Sequence, residues 1–143
     1  MMLSEILRTK GSAVYSTVPD ATLRRVTEIL VENNCGSLIV VDKEGSRKMI
    51  GIITERDILR ACSKGTSLDD TPAEEIMTIG MIVGRATDTI ADAMGLMTVN
   101  RVRHLPVIED DELVGVISIG DLVKAQHNKL TAENHYLKNY IQG

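Results

Sequence analysis

Two short stretches of the sequence combine residue types that could bind a sugar phosphate. GIITERD and GVISIGD each end in an aspartate that follows a hydroxyl residue by three positions. At a helix start this spacing predicts a capping box, in which hydroxyl and carboxylate each accept a hydrogen bond from the other residue's backbone N–H. The same helix end attracts phosphate, and the carboxylate could accept hydrogen bonds from a vicinal diol such as ribose. For Thr54 with Asp57, and for Ser118 with Asp121, a cap alone and a cap with a binding site both stay open.

The two stretches belong to an internal repeat. A window over 14–65 matches a second window over 81–130, with an offset of 67 positions up to the first apolar run and 64 after it. The offset changes within DKEGSRK of the first copy and EDDE of the second, which are polar and rich in turn-forming residues. Each of these segments therefore predicts a hairpin loop between two apolar strands.

The repeat predicts the fold class and the domain boundaries. Each copy predicts a helix, two strands joined by the hairpin, and a second helix. One copy is too small to enclose a core, so we expect an α/β (α+β) fold in which the copies pack through their sheets. The predicted units are repeat 1 with its N-terminal segment at 1–65, a linker at 66–80, repeat 2 at 81–127 and a C-terminal helical extension at 128–143.

The C-terminal extension has apolar residues at a seven-then-four spacing. These residues are Val123, Leu130, Leu137 and Ile141. The spacing predicts an amphipathic helix, and its polar face carries few basic residues. We therefore expect a packing or dimerisation element rather than a membrane-surface helix.

Composition and charge exclude several classes of protein. The 143 residues are 43% hydrophobic, carry a formal net charge of −4 and include no Phe or Trp, so the core must be aliphatic. Lysines and arginines are scattered, which argues against nucleic-acid binding, and no apolar run approaches membrane-spanning length. We expect a cytoplasmic protein without membrane association. Cys35, Cys62 and the three histidines lack metal-ligand spacing, so no metal site is expected and both cysteines are predicted to be small buried hydrophobes.

The chain resembles a tandem pair of cystathionine-β-synthase-type (CBS) domains, a Bateman module, over roughly residues 3–127. The resemblance rests on SEILRTKGSAVYSTVPDATL, AEEIMTIGMIVGRATDTI, HLPVIEDDELVGVIS and the two aspartate motifs, in this order and in duplicate. SIGDLVKAQ and the tail NYIQG resemble small stand-alone CBS-pair proteins. The resemblance implies two repeats related by a pseudo-twofold axis, with two clefts between them that can each bind an adenine nucleotide.

The resemblance also implies which residues line each cleft, because each aspartate is completed by residues of the other repeat. The implied ligand-binding residues of cleft one are Ile52, Thr54, Arg56, Asp57, Met81, Ile82, Val83, Arg103, His104 and Pro106. Those of cleft two are Val14, Tyr15, Ser16, Val116, Ser118 and Asp121. We expect Arg103 and His104 to contact the phosphate in cleft one.

Cleft two departs from the family pattern. Gly36 and Ser37 stand at the positions that match Arg103 and His104, so this cleft lacks those phosphate-binding cations. A charge-assisted contact contributes on the order of 1.5–3 kcal/mol, so its loss should lower affinity roughly tenfold or more. We therefore expect cleft one to be the nucleotide site and cleft two to be weaker, empty or suited to an uncharged nucleoside.

The implied function is regulatory rather than enzymatic. No Ser/His/Asp or Cys/His arrangement of catalytic strength occurs in the sequence, and no cofactor is required. The resemblance implies a sensor of AMP, ADP or ATP, with NADH or S-adenosylmethionine as other possible ligands. It also implies a homodimer of CBS pairs and an unidentified regulated protein, such as the redox partner thioredoxin. The alternative is a dimerising scaffold without a physiological nucleotide, in which the motifs only cap helices.

Overall fold

A computed structural model describes residues 1–11 and 14–142. Ser12, Ala13 and Gly143, which lie in the N-terminal segment and the tail quoted above, fall outside the described residues, as does the side chain of Gln142. No helix of the described chain is both long and apolar enough to cross a membrane.

Each repeat contains the predicted helix, hairpin and helix. The chain begins with helix α1 (Leu3–Lys10). Repeat 1 then forms β1 (Ser16–Thr17), α2 (Leu23–Glu32), β2 (Ser37–Val41), β3 (Met49–Thr54) and α3 (Glu55–Ser63). Repeat 2 forms α4 (Ile90–Asn100), β4 (His104–Glu109), β5 (Glu112–Ser118) and α5 (Ile119–Gln142). The predicted α/β class and the order of elements are confirmed.

The two sheets follow the duplication. Strands β2 and β3 pair antiparallel, as do β4 and β5. The short strand β1 runs parallel to β2, and an isolated parallel bridge between Gly84 and Val107 is its counterpart beside β4. These short parallel pairings were not predicted, because two residues show too little alternation of apolar and polar side chains to indicate a strand.

Three apolar clusters form the core. Each repeat has its own cluster between its sheet and its helices. The third cluster joins the repeats across their sheets and is built on Ile39, Val41, Ile52 and Leu113. The backbone N–H of Leu113 also donates to the carbonyl oxygen of Arg47 at 2.9 Å, which links the hairpins of the two repeats. The prediction that the copies pack through their sheets is therefore confirmed.

Helix α1 packs on repeat 2, although the sequence-based boundaries group it with repeat 1. Leu3, Ile6 and Leu7 are buried in the repeat 2 cluster, and the Leu3 N–H donates to Asp88 O at 2.8 Å. The linker packs on repeat 1 instead, because Ala73, within a single 3-10 turn, is buried in the repeat 1 cluster. Each repeat is thus completed by a segment that its internal pattern did not include.

The predicted burial of the two cysteines is only partly observed, whereas the predicted C-terminal helix is present. Cys35 is half-buried as a small apolar residue would be, but Cys62 is exposed, so its predicted burial is wrong. Ala61 is the only buried residue of α3 among those described, and Cys62 lies on the outward side of that helix. The predicted C-terminal helix is present and continues α5 without interruption to Gln142.

A double-mutant cycle tests the packing of α1 on β5. A Cβ atom at Gly115 would lie 2.5 Å from Leu7 Cδ2, so Gly115→Ala should lower the unfolding free energy by about 1–3 kcal/mol through overpacking. Leu7→Ala should cost about 2–5 kcal/mol through the cavity that it leaves. Because Leu7→Ala also makes room for the new methyl group, the double variant should lose less stability than the sum of the two. Urea denaturation measures all three values, and strictly additive losses would contradict the contact.

Candidate ligand clefts between the repeats

Both aspartate motifs form the predicted capping boxes. The Thr54 N–H donates to Asp57 Oδ2 at 2.9 Å, and the Asp57 N–H donates to Thr54 Oγ1 at 3.2 Å. The Ser118 N–H donates to Asp121 Oδ2 at 2.8 Å, and the Asp121 N–H donates to Ser118 Oγ at 3.0 Å. In each box the cap uses Oδ2 alone, and no described residue hydrogen-bonds to Oδ1. Each motif can therefore cap its helix and still offer a carboxylate oxygen to a ligand.

A third capping box shows what a cap looks like away from the clefts. The Asp92 N–H donates to Thr89 Oγ1 at 3.1 Å, and the Thr89 N–H donates to Asp92 Oδ2 at 3.0 Å. Asp92 is exposed at the start of α4, whereas Asp57 and Asp121 are half-buried. The hydrogen-bonding geometry of the cap is thus common to all three sites, and the surroundings of the carboxylate distinguish them.

The apolar linings of the two predicted clefts meet in the cluster that joins the repeats. Ile52 of cleft one packs there together with the partly buried Met81. Val14 and Val116 of cleft two pack against the same cluster. In both pairs one residue comes from each repeat, which is the crossed arrangement that the resemblance implies.

Other residues of the predicted linings have different surroundings. Pro106 is buried in β4, and Ile82 packs on the repeat 2 core. Val83 and Tyr15 are 40% and 44% exposed, and Ser16 is exposed at the start of β1. Arg56 and Arg103 are exposed, and neither lies within salt-bridge distance of a carboxylate in the described chain.

The backbone of Ile52 is already hydrogen-bonded. Its N–H donates to Thr78 O at 3.0 Å, and its carbonyl oxygen accepts from the Thr78 N–H at 2.8 Å. The linker thus forms a short antiparallel bridge at the edge of β3. Met77 packs over the neighbouring Gly51, where an added Cβ would lie 2.6 Å from the Met77 Sδ atom. Ile52 can shape the cleft with its side chain, whereas its backbone groups are paired within the protein.

His104 lies between the amino ends of α3 and α5. It pairs with Ser118 across β4 and β5, and a Cβ atom at Gly36 would lie 3.7 Å from both His104 Cε1 and Glu55 Oε1. Burial lowers the pKa of His104, and the positive charge of Lys10 lowers it further, against the opposite effect of the Asp121 and Glu55 carboxylates. Because the net pKa falls below the ordinary value, the ring is neutral at pH 7.

The loops before β2 and β4 are held in equivalent ways. The Glu55 N–H donates to Gly36 O at 3.0 Å, and the Ile119 N–H donates to Arg103 O at 3.0 Å. Gly36 therefore occupies in repeat 1 the position that Arg103 occupies in repeat 2. This equivalence agrees with the sequence alignment in which cleft two lacks the arginine and histidine of cleft one.

Lys10 brings an unpredicted cation to cleft two. From the end of α1, its Nζ donates to Asp121 Oδ2 at 2.5 Å and to Val116 O at 2.8 Å. Burial alone raises the pKa of Asp121, but the hydrogen bond and charge of Lys10, with the hydrogen bonds from Ser118, outweigh it and lower the pKa. The Asp121 carboxylate is therefore ionised and neutralised by an internal partner. Asp57 has no ion pair within the described chain.

Three residues near the clefts were not identified from the sequence. Lys10, Thr78 and Glu55 contact or face the predicted residues, and although they lie within the segments quoted above, none of them was predicted to line a cleft. Thr78 lies outside the matched windows of the repeat, so the repeat gave no signal for its contact with Ile52. Within the described chain, no three His, Cys, Asp or Glu side chains are grouped closely enough to hold a metal ion.

The geometry agrees with what comparison with known proteins shows. The CBS domain family matches residues 4–64 and 73–128. The mitochondrial CBS domain-containing protein CBSX3 of Arabidopsis thaliana is 35% identical over a gapped alignment of 148 positions, which covers 99% of this chain and 72% of that protein.

Two solved structures are similar over most of the chain. The CBS-domain-containing protein ATU1752 of Agrobacterium tumefaciens has a TM-score of 0.81 and 31% identity, with 88% of this chain and 99% of that chain covered. The CBS domain protein PAE2072 of Pyrobaculum aerophilum, solved in complex with AMP, has a TM-score of 0.76 and 32% identity, with 85% and 89% covered. The duplicated fold and the two matched segments together show that this chain belongs to the CBS domain family, as a tandem pair of CBS domains.

Proposed function

We propose that this CBS pair is a regulatory module that binds an adenosine nucleotide, AMP, ADP or ATP, in cleft one. Occupancy of the cleft would then be transmitted to a partner protein. The observation that carries the proposal is the state of Asp57, a half-buried carboxylate with an unused Oδ1 and no ion pair among the described residues. Such a group can accept both hydroxyl hydrogens of a ribose without first losing an internal partner.

The charges around cleft one suit the rest of a nucleotide. Arg103 is exposed and unpaired within the described chain, and the neighbouring His104 ring can gain a proton. The amino end of α3 adds its positive dipole on the same side. The AMP complex of PAE2072 supports a nucleotide of this kind, and the apolar contacts of Ile52 and Met81 do not distinguish AMP from ADP or ATP.

Cleft two should bind nucleotides more weakly. A ligand that uses Asp121 must displace Lys10 from the carboxylate, and the lost ion pair would oppose binding. A sensor needs a ligand that binds two conformational states of the protein with different affinity. We therefore expect cleft one to be the site of this ligand.

Transmission would act through a homodimer. Each repeat exposes an apolar side chain from both of its packed helices, with Val31 81%, Leu59 70%, Val99 82% and Val123 54% exposed. Leu59 and Val123 are equivalent residues of the two repeats. Faces of this kind are typical of protein association. The regulated protein is unidentified, and a redox partner is one candidate class. The proposal includes no catalytic step, so ATP should be recovered unchanged after incubation.

The alternative is a scaffold in which the motifs only cap helices. The three complete capping boxes favour it, because Asp92 makes the same hydrogen bonds from an exposed position at the start of α4. This observation also provides a matched control.

The capping box of α4 separates binding from capping. Asp57→Asn should lower the affinity for AMP at least about tenfold, because a hydrogen bond to a charged group contributes about 1.5–3 kcal/mol. Asp92→Asn should leave the affinity unchanged. Both variants should lose stability by at most about 0.5–2 kcal/mol, the range for helix N-terminal caps. Isothermal titration calorimetry with AMP, ADP and ATP measures affinity, and thermal unfolding measures stability.

The outcomes distinguish the two functions. Equal loss of affinity in the two variants would show that the effect is only structural. No binding to a wild-type protein freed of copurified ligand would favour the scaffold. Asp121→Asn should have a smaller effect than Asp57→Asn if cleft one is the main site.

The environment of His104 predicts proton uptake on binding. The pKa of the free ring is lowered, and a phosphate beside it would raise the pKa again, so AMP should bind more tightly as the pH falls from neutral toward the pKa of the free ring. Calorimetry in two buffers of different ionisation enthalpy counts the protons. The phosphate of AMP itself titrates at about pH 6. The relevant quantity is therefore the uptake that disappears in His104→Gln.

Adenosine supplies the matching ligand control. It has no phosphate and should bind without proton uptake. Equal proton counts for the wild type and His104→Gln with AMP would place the phosphate away from this residue.

A further inference from the structure

Helix α5 carries an apolar stripe that the folded body does not cover. Val123, Leu130 and Leu137 are 54%, 49% and 54% exposed, and Ile141 is 81% exposed. At about 3.6 residues per turn, these four side chains and those of His127 and Asn134 lie within about 80° of one another on the helix. The six residues, which we call the seam, form one continuous strip along the helix.

The seam points away from the body of the protein. Leu122 is buried in the repeat 2 core, and Ala125 packs against the same core. Val123, the first residue of the seam, follows Leu122 directly and lies about 100° around the helix. The seam therefore starts on the outer surface of repeat 2 and continues along the extension.

The spacing of the seam is that of a heptad repeat. Val123, Leu130 and Leu137 are seven residues apart and occupy d positions. His127, Asn134 and Ile141 are also seven residues apart and occupy a positions. Leucine at d and a single asparagine at a are characteristic of two-stranded parallel coiled coils.

We propose that the seam pairs with the seam of a second copy of this chain as a parallel, in-register, two-stranded coiled coil. In this alignment every residue meets its own counterpart. Asn134 faces Asn134 of the partner subunit and can hydrogen-bond to it, while the leucines pack on leucines. An antiparallel alignment centred on the seam would place Asn134 against Leu130 of the partner subunit, where its amide would lose water without gaining a partner.

The charged residues beside the seam favour the same orientation. Glu133 occupies a g position and Lys138 the following e position. In a parallel pair the g residue of one strand lies next to the following e residue of the other, so two Glu–Lys pairs form. An antiparallel pair brings e residues together, and Lys124 would then face Lys138 of the other strand. Complementary charge therefore identifies a second copy in parallel orientation as the occupant.

This pairing has a consequence for the dimer. A parallel coiled coil holds the two repeat 2 units on the same end of the assembly, since both α5 helices begin there. It goes beyond the proposed nucleotide function and requires no ligand, so failure of nucleotide binding would leave it unaffected.

Cysteine cross-linking of the full chain tests the register. In a Cys35→Ser, Cys62→Ser background, Asn134→Cys should form a disulfide-linked dimer under mild oxidation. Tyr136→Cys, which is 69% exposed on the opposite side of the same helix, should not. A dimer that cross-links equally at both positions, or only at 136, would overturn the parallel seam.

Sedimentation equilibrium tests the contribution of the seam to association. The double variant Leu130→Asp, Leu137→Asp should dimerise at least about tenfold more weakly than the wild type, because each strand loses two buried leucines and buries charge instead. Tyr136→Asp should dimerise like the wild type. All three chains should have the same melting temperature at monomer concentrations, since the seam lies outside the core. A wild-type chain that stays monomeric, or a double variant that dimerises as strongly as the wild type, would overturn the proposal.

Discussion

The apolar contact between the two sheets is the interaction on which the rest of the structure depends. Ile39, Val41 and Ile52 of repeat 1 meet Leu113 of repeat 2, and the backbone bond from Leu113 to Arg47 fixes their alignment. Neither repeat encloses these side chains by itself, so burial of apolar area links the folding of the two halves. Met81, Val14 and Val116 pack against this same group of side chains. The two candidate clefts are therefore formed by the packing that stabilises the fold.

Near-symmetry of the backbone does not make the clefts chemically equivalent. The two capping boxes have matching hydrogen bonds, yet Asp121 is neutralised by Lys10 while Asp57 has no ion pair among the described residues. The difference arises because α1 crosses to repeat 2 and carries Lys10 with it. A segment outside the repeated pattern thus decides which carboxylate is available.

His104 illustrates how charge is balanced where the two repeats meet. Burial and two cations favour the neutral ring, while carboxylates from both repeats favour the charged ring. A group in such a balance changes its protonation readily when an anion arrives nearby.

By itself, the sequence determined whatever depends on local spacing or on repetition. Thr54 and Asp57 are three residues apart, so their hydrogen bonds follow once a helix begins there. The duplication likewise predicted the two hairpins and the paired helices, and the seven-then-four spacing of apolar residues predicted the continuation of the C-terminal helix. The spacing of Val123, Leu130 and Leu137 predicted an amphipathic helix for the same reason, because position along a helix determines the face on which a side chain lies.

Only the tertiary structure decided which distant residues meet. Lys10 reaches Asp121 across 111 positions, Thr78 pairs with the edge strand at Ile52, and His104 lies among charges from both repeats. None of these contacts has a periodic signal, since each results from the way that aliphatic faces pack rather than from local conformational preference. Burial was also decided by packing. The apolar character of Cys62 predicted that it is buried, but the packing of α3 leaves it exposed. Residue types and spacing thus predict the elements and their caps, whereas the charge surrounding each cleft depends on the packing of segments far apart in the chain.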